Sequence, residues 1–155
     1  MATKPTHEQA QLHLQVFEQR REPRLRQARD WFMQNYFANT IEESMKLAPM
    51  GSEPGTNVMM VFGYWEQTCA LLNYGLLHED LFFETTGEFF AVWERVKSHI
   101  EQARQMFNSK TFLSNLEKAS KRFEAWQETH NPGHLATMRK MMTEMQKQRQ
   151  QAKAA

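Results

Sequence analysis

Several things are scarce in this sequence, and each scarcity excludes something. There is one cysteine in 155 residues, so neither a disulfide framework nor a cysteine-rich zinc module can hold the chain together. Six glycines and five prolines are too few for a sandwich or barrel built on many tight turns. The longest stretches without a charged residue, 54–65 and 67–78, are split by Glu66, and neither approaches the roughly 20 apolar residues of a spanning helix. A net charge of +1 sets up no global field for nucleic acid. No Asn-Gly or Asp-Gly turn is present, so hairpins have no signal.

Chemical motifs are missing too. There is no Gly-x-Ser-x-Gly, no phosphate-binding glycine loop and no His-Glu-x-x-His, which removes the common routes to nucleophilic, nucleotide and zinc chemistry. Glu-x-x-His, which a ferritin-like di-iron bundle needs twice, occurs nowhere. His130 and His134 are four apart with Asn131-Pro132-Gly133 between them, a sequence that breaks the helix needed to align them. They read as loop or cap residues. His78-Glu79-Asp80 reads as a helix start, where carboxylates suit the unpaired amides and the dipole. No catalytic residue, metal ligand or cofactor is expected.

What is present is helical periodicity. Val58, Phe62, Trp65, Cys69, Leu72 and Leu76 follow steps of three and four, as do Phe112, Leu116, Ala119, Phe123 and Trp126. Such steps keep side chains on one face of a 3.6-residue helix. Thr6 can cap a helix over residues 7–21, and Pro23 opens a second helix or kinks a longer one. Thr40-Ile41-Glu42-Glu43 has the form of a capping box. Residues 48–55 form a loop, Thr56 or Asn57 caps the central helix, and Gly75 ends it. A short helix over 79–86, a long one over 88–107 and another over 111–129 follow. Asn131-Pro132 then caps a last helix, whose polar end, residues 146–155, reads as a frayed tail. The expectation is an all-α chain, one compact domain of six to eight helices over residues 1–155. Apolar residues at 41% supply its core.

Charge is unevenly spread. Residues 31–90 carry a net −7 and residues 91–155 a net +6, which implies mutual neutralisation within the fold or between subunits, or a basic face for an acidic partner. The basic residues sit at helical intervals among glutamates, without an Arg/Lys run, so no nucleic-acid partner is expected. No membrane partner is expected either. A polar beginning with no apolar signal segment, and a lone Cys69, point to a reducing cytoplasm.

Two groups of residues stand out as candidate sites. Glu66 interrupts the apolar centre of its helix, so its carboxylate should be paired, with Arg104 the first choice and Arg95 the second. Trp65 and Trp93 accompany it, either as core fillers or as walls of a cavity between helices. Leu135, Met138, Met142 and Met145, with Met141 beside them, form a stripe suited equally to a core or to a dimer face, since methionine is common on adaptable binding surfaces.

The central stretch carries a resemblance. Phe62-Gly63-Tyr64-Trp65-Glu66, then residues 70–83 (Ala-Leu-Leu-Asn-Tyr-Gly-Leu-Leu-His-Glu-Asp-Leu-Phe-Phe), then Trp93-Glu94-Arg95 and Arg104 resemble an uncharacterised bacterial family, the domain of unknown function 4760. The resemblance covers about residues 57–104, with a looser echo over 24–37, and finds no counterpart for 110–155. It implies an all-helical fold and supplies no catalytic residue. The function expected is therefore that of a non-enzymatic interaction or scaffold protein, associating with itself or with another protein. The alternative is a binder of a small apolar or anionic ligand in an aromatic-lined cavity.

Overall fold

The computed structural model describes residues 3–154, and every element among them is helical. Nine helices follow one another: α1 His7–Gln19, α2 Pro23–Asn35, α3 Ile41–Leu47, α4 Glu53–Asn73, α5 Glu79–Thr85, α6 Glu88–Val96, α7 Ile100–Met106, α8 Ser114–His130 and α9 His134–Ala154. Contacts group them into two units, residues 1–120 and 121–155, with α8 passing from one to the other.

Local chemistry explains most boundaries. Thr6 and Gln9 complete a capping box at the start of α1, and Pro23 opens a separate α2, where a missing amide costs nothing. Thr40 Oγ1 accepts from the Glu43 amide at 3.2 Å. The Glu43 carboxylate reaches one residue beyond the expected box, to the Asn39 amide at 2.8 Å. At the end of α4 the Leu76 amide bonds the Leu71 carbonyl and the Gly75 amide the Leu72 carbonyl. Gly75 itself has φ +74°. Those two bonds and the left-handed glycine make a Schellman motif. His78 Nδ1 accepts from the Leu81 amide at 3.3 Å and so caps α5, while its Nε2 meets the Thr3 carbonyl at 2.5 Å. An imidazole that accepts at Nδ1 carries its proton on Nε2.

Four expected boundaries move. The central helix starts at Glu53 because Ser52, not Thr56 or Asn57, supplies the cap, its Oγ accepting from the Gly55 amide at 3.1 Å. Pro54 falls in the first turn, where proline is tolerated. The helix expected over 88–107 breaks in two at His99 (φ −128°, ψ 12°), whose ring is held in a buried hydrogen bond to Tyr36. Leu113 takes φ 54° and delays α8 to Ser114. Gly133, at φ +80°, delays α9 to His134, so Asn131 and Pro132 form a turn instead of a cap. The polar segment from Gln146, read as a frayed tail, continues α9 as far as Ala154, and Ala155 lies outside the described residues.

The core of the first unit is aromatic. Trp65, Tyr36, Phe32, Phe82, Phe89 and Phe90 are all almost fully buried. Phe32 stacks on Tyr36 with ring centroids 4.6 Å apart, Phe62 meets both edge-on, and Phe82 lies 5.2 Å from Phe89. Such pairs add about 0.5–1.5 kcal/mol each to simple burial. One bidentate ion pair, Arg29 with Glu88, ties α2 to the start of α6. In the second unit Phe123 and Leu135 are buried, and Arg139 pairs with Glu124 at 2.6 Å.

Candidate functional site

The Glu66 carboxylate is paired, but with backbone amides. Its Oε1 accepts from the Asn115 amide at 3.0 Å and the Asn115 side chain at 2.9 Å, and its Oε2 accepts from the Leu116 amide at 2.9 Å. Asn73 Nδ2 in turn donates to Asn115 Oδ1 at 2.9 Å. The residue before α8 is Leu113, whose side chain has no oxygen to offer the first amides of the helix. Glu66 supplies it from α4, where a carboxylate also meets the positive end of the helix dipole. The expected pairing with Arg104 is therefore not made, and no basic side chain pairs with Glu66 among the described residues. Arg104 bonds Glu101 at 2.6 Å, Glu117 at 2.7 Å and the Phe112 carbonyl at 3.0 Å. Arg95 donates to the Phe32 carbonyl at 2.8 Å and lies 4.5 Å from the centroid of the Phe37 ring.

Trp65 is fully buried against Tyr64 and Phe89, and Trp93 is buried as well. Both oxygens of Glu66 are thus occupied by a helix start, while the buried Trp65 Nε1 has no hydrogen-bond partner among the described residues. The C-terminal methionines divide: Met141 and Met145 are 63% and 48% exposed, while Met138 and Met142 are half-buried. Among the described residues no cluster of His, Cys, Asp or Glu could hold a metal ion, and no helix is long and apolar enough to cross a membrane.

The concave site lies elsewhere in the first unit. A cavity of about 650 Å³ is bounded by α3, the 48–52 loop, the first half of α4, and α7. Its floor is buried: Tyr36, Val58, Phe62, Val96, Ile100 and Ala103. Its mouth is marked by Met50, Met59 and Phe107, which are 75%, 57% and 40% exposed. Met45 and Met60 add flexible thioethers to the wall. The loop is pressed onto α4 so closely that a Cβ on Gly55 would stand 2.1 Å from the Pro49 carbonyl oxygen. No lining residue is charged.

The polar part of the wall is a connected set. Tyr36 Oη lies 2.7 Å from Ser44 Oγ and 2.9 Å from His99 Nε2, and Ser98 Oγ lies 3.1 Å from His99 Nδ1. Burial pushes the His99 pKa down, against the opposing charge of Glu43, and pushes the Tyr36 hydroxyl up. Both groups are therefore uncharged at neutral pH. The sequence reading, drawn to Trp65, Trp93 and the C-terminal methionines, passes over all of these residues. The available signal was the density of methionine around the Pro/Gly loop, at Met45, Met50, Met59 and Met60. Tyr36, Ser44 and His99 come from three separated segments and carry no common pattern.

A family model described as a domain of unknown function (DUF4760) matches residues 5–123. The match extends well beyond the central stretch that carries the resemblance, taking in α1, α2 and the first part of α8. No curated protein and no solved structure matches the chain.

Proposed function

We propose that this protein, which belongs to the family described as a domain of unknown function (DUF4760), binds a small apolar ligand in the cavity beside α3 and α7. The observation that carries this reading is the cavity itself. Its volume of about 650 Å³ falls in the range of small-molecule sites, about 300–1,000 Å³, and its apolar wall with a few converging polar groups is the composition of such sites. The absence of any Lys or Arg from the lining favours the apolar half of the sequence expectation over the anionic half. Nothing in the set supplies a nucleophile with a charged base or an oxyanion site, so binding without catalysis is the reading proposed.

Native mass spectrometry of freshly purified protein, followed by extraction, tests it: a retained apolar molecule is expected. Ala103→Phe, which fills the floor of the cavity, should abolish retention while leaving the helical signal intact. Retention undiminished in Ala103→Phe ends the reading.

A second reading, self-association or docking of another protein through α9, is favoured by the exposure of Met141 and Met145 on one helix face. Met141→Asp should then convert a dimer into a monomer in light scattering, with a melting temperature lowered only to that of dilute, dissociated wild type, since an exposed position tolerates the charge in the isolated chain. A wild type that is monomeric at high concentration removes this reading.

A further inference from the structure

The hydrogen-bonded set in the cavity wall has one unused valence, and its position specifies what the ligand presents there. Ser44 Oγ is half-buried, lines the cavity and has Tyr36 Oη as its one side-chain partner among the described residues. Tyr36 and His99 behind it are 1% and 3% exposed, and the chain ends at Ser98, an exposed residue.

Every member of this chain can donate or accept. In one direction Ser98 donates to His99 Nδ1, Nε2–H donates to Tyr36, Tyr36 donates to Ser44, and the Ser44 proton is left for an acceptor. In the other direction Ser44 donates to Tyr36, Tyr36 donates to Nε2, Nδ1–H donates to Ser98, and a Ser44 lone pair is left for a donor. Switching between the two needs only hydroxyl rotation and the other imidazole tautomer, with no movement of heavy atoms. The wall therefore satisfies a hydroxyl or a carbonyl equally well.

It does not satisfy a charge. No basic or acidic side chain lines the cavity, His99 is held neutral, and the one charge felt by His99 is the negative one of Glu43. An ionised head would lose its water without gaining a counter-ion, which is strongly unfavourable.

Building on the ligand-cavity reading, we propose that the ligand is a neutral amphiphile. One hydroxyl or carbonyl group bonds Ser44 Oγ, and the apolar body lies along the methionines and aromatic rings toward the mouth at Met50 and Met59.

The test uses the full chain and N-phenyl-1-naphthylamine, a neutral dye that fluoresces in apolar sites, displaced by 1-decanol, 2-decanone, undecane or decanoate. In the wild type, decanol and decanone should each displace the dye more strongly than undecane. Decanoate, ionised at neutral pH, should be the weakest. Ser44→Ala, a change that favours its helix, should weaken decanol and decanone by about fivefold, the size of one neutral hydrogen bond, and undecane by less than about twofold. Dye affinity is measured separately for the wild type and Ser44→Ala, and each displacement is read against the value for the same protein. Equal effects on all ligands, no effect on decanol, or decanoate binding as well as decanol overturns the proposal while leaving the cavity reading in place. Failure of the wild type to bind the dye or any of the four compounds overturns both.

Discussion

Replacing Glu66 by glutamine asks whether a carboxylate on α4 really starts α8. Three hydrogen bonds converge on it, two from backbone amides and one from Asn115 Nδ2, at 2.9–3.0 Å. A glutamine of the same shape can keep its oxygen toward the two Asn115 donors, but then turns its NH₂ toward the Leu116 amide, donor against donor. One charge-assisted bond and the dipole attraction are lost together. A hydrogen bond to a charged group contributes about 1.5–3 kcal/mol and a helix cap about 0.5–2 kcal/mol. Because the site is only half-buried, the expected cost of Glu66→Gln is about 1–2 kcal/mol, near the low end of those values. Glu66→Ala, which strips all three bonds and leaves a void, should cost about 2–3 kcal/mol on the same scale. Each kcal/mol corresponds to a fall of about 2–4 °C in Tm at this chain length.

Urea unfolding gives the free energies, and hydrogen exchange gives the location: the Leu116 amide should lose protection ahead of the middle of α8. Coupling to Asn115→Ala should be about 0.5 kcal/mol or more, since the two side chains are in contact. A Glu66→Gln variant within about 0.3 kcal/mol of wild type, inside the ordinary range for surface changes, would refute the capping argument. So would strict additivity with Asn115→Ala.

Two glycines of α4 should respond to alanine with opposite signs. Gly63 is exposed with nothing within 4 Å of a built Cβ, so Gly63→Ala should stabilise by about 0.8–1 kcal/mol. Gly55→Ala would set a methyl 2.1 Å from the Pro49 carbonyl oxygen and should destabilise by about 1–3 kcal/mol. Matching signs in thermal melts would refute this packing of the loop on α4. Burial pushes the Tyr64 hydroxyl up to about 12, above its unfolded value of about 10, and the hydroxyl donates to the Val16 carbonyl at 2.6 Å. The unfolded chain thus gives up this proton first. The contribution is fully present below about pH 10 and falls away as pH rises toward 12. Tyr64→Phe should lower stability at neutral pH yet flatten that alkaline decline. Parallel pH profiles for the two proteins would show that Tyr64 does not carry it.

Helix type and most helix ends were legible because they are local. Steps of three and four in the apolar residues, Thr6, Pro23, Thr40 and Gly75 act within one turn of their own positions, so short windows of sequence contain the relevant physics. The family was legible for the same reason, since its pattern over α4 to α6 is a continuous string of packing and capping residues. What sequence could not locate is whatever depends on the return path of the chain. Glu66 announced that it needed a partner, and burial arithmetic alone made a distant cation reasonable. Only the tertiary structure brings the uncapped start of α8, behind an apolar Leu113, within 3.0 Å of its carboxylate.

The break at His99 has the same origin. The helical pattern runs through residues 88–107 without interruption, and the turn there is tied to a hydrogen bond with Tyr36, sixty-three positions away. The cavity is the furthest from legibility, because empty space has no residue type. Its apolar character could be read from Met45, Met50, Met59 and Met60. Its existence follows from Gly55 holding the 48–52 loop against α4 and from α3 and α7 closing the sides, a placement of four segments that no single window of the chain encodes.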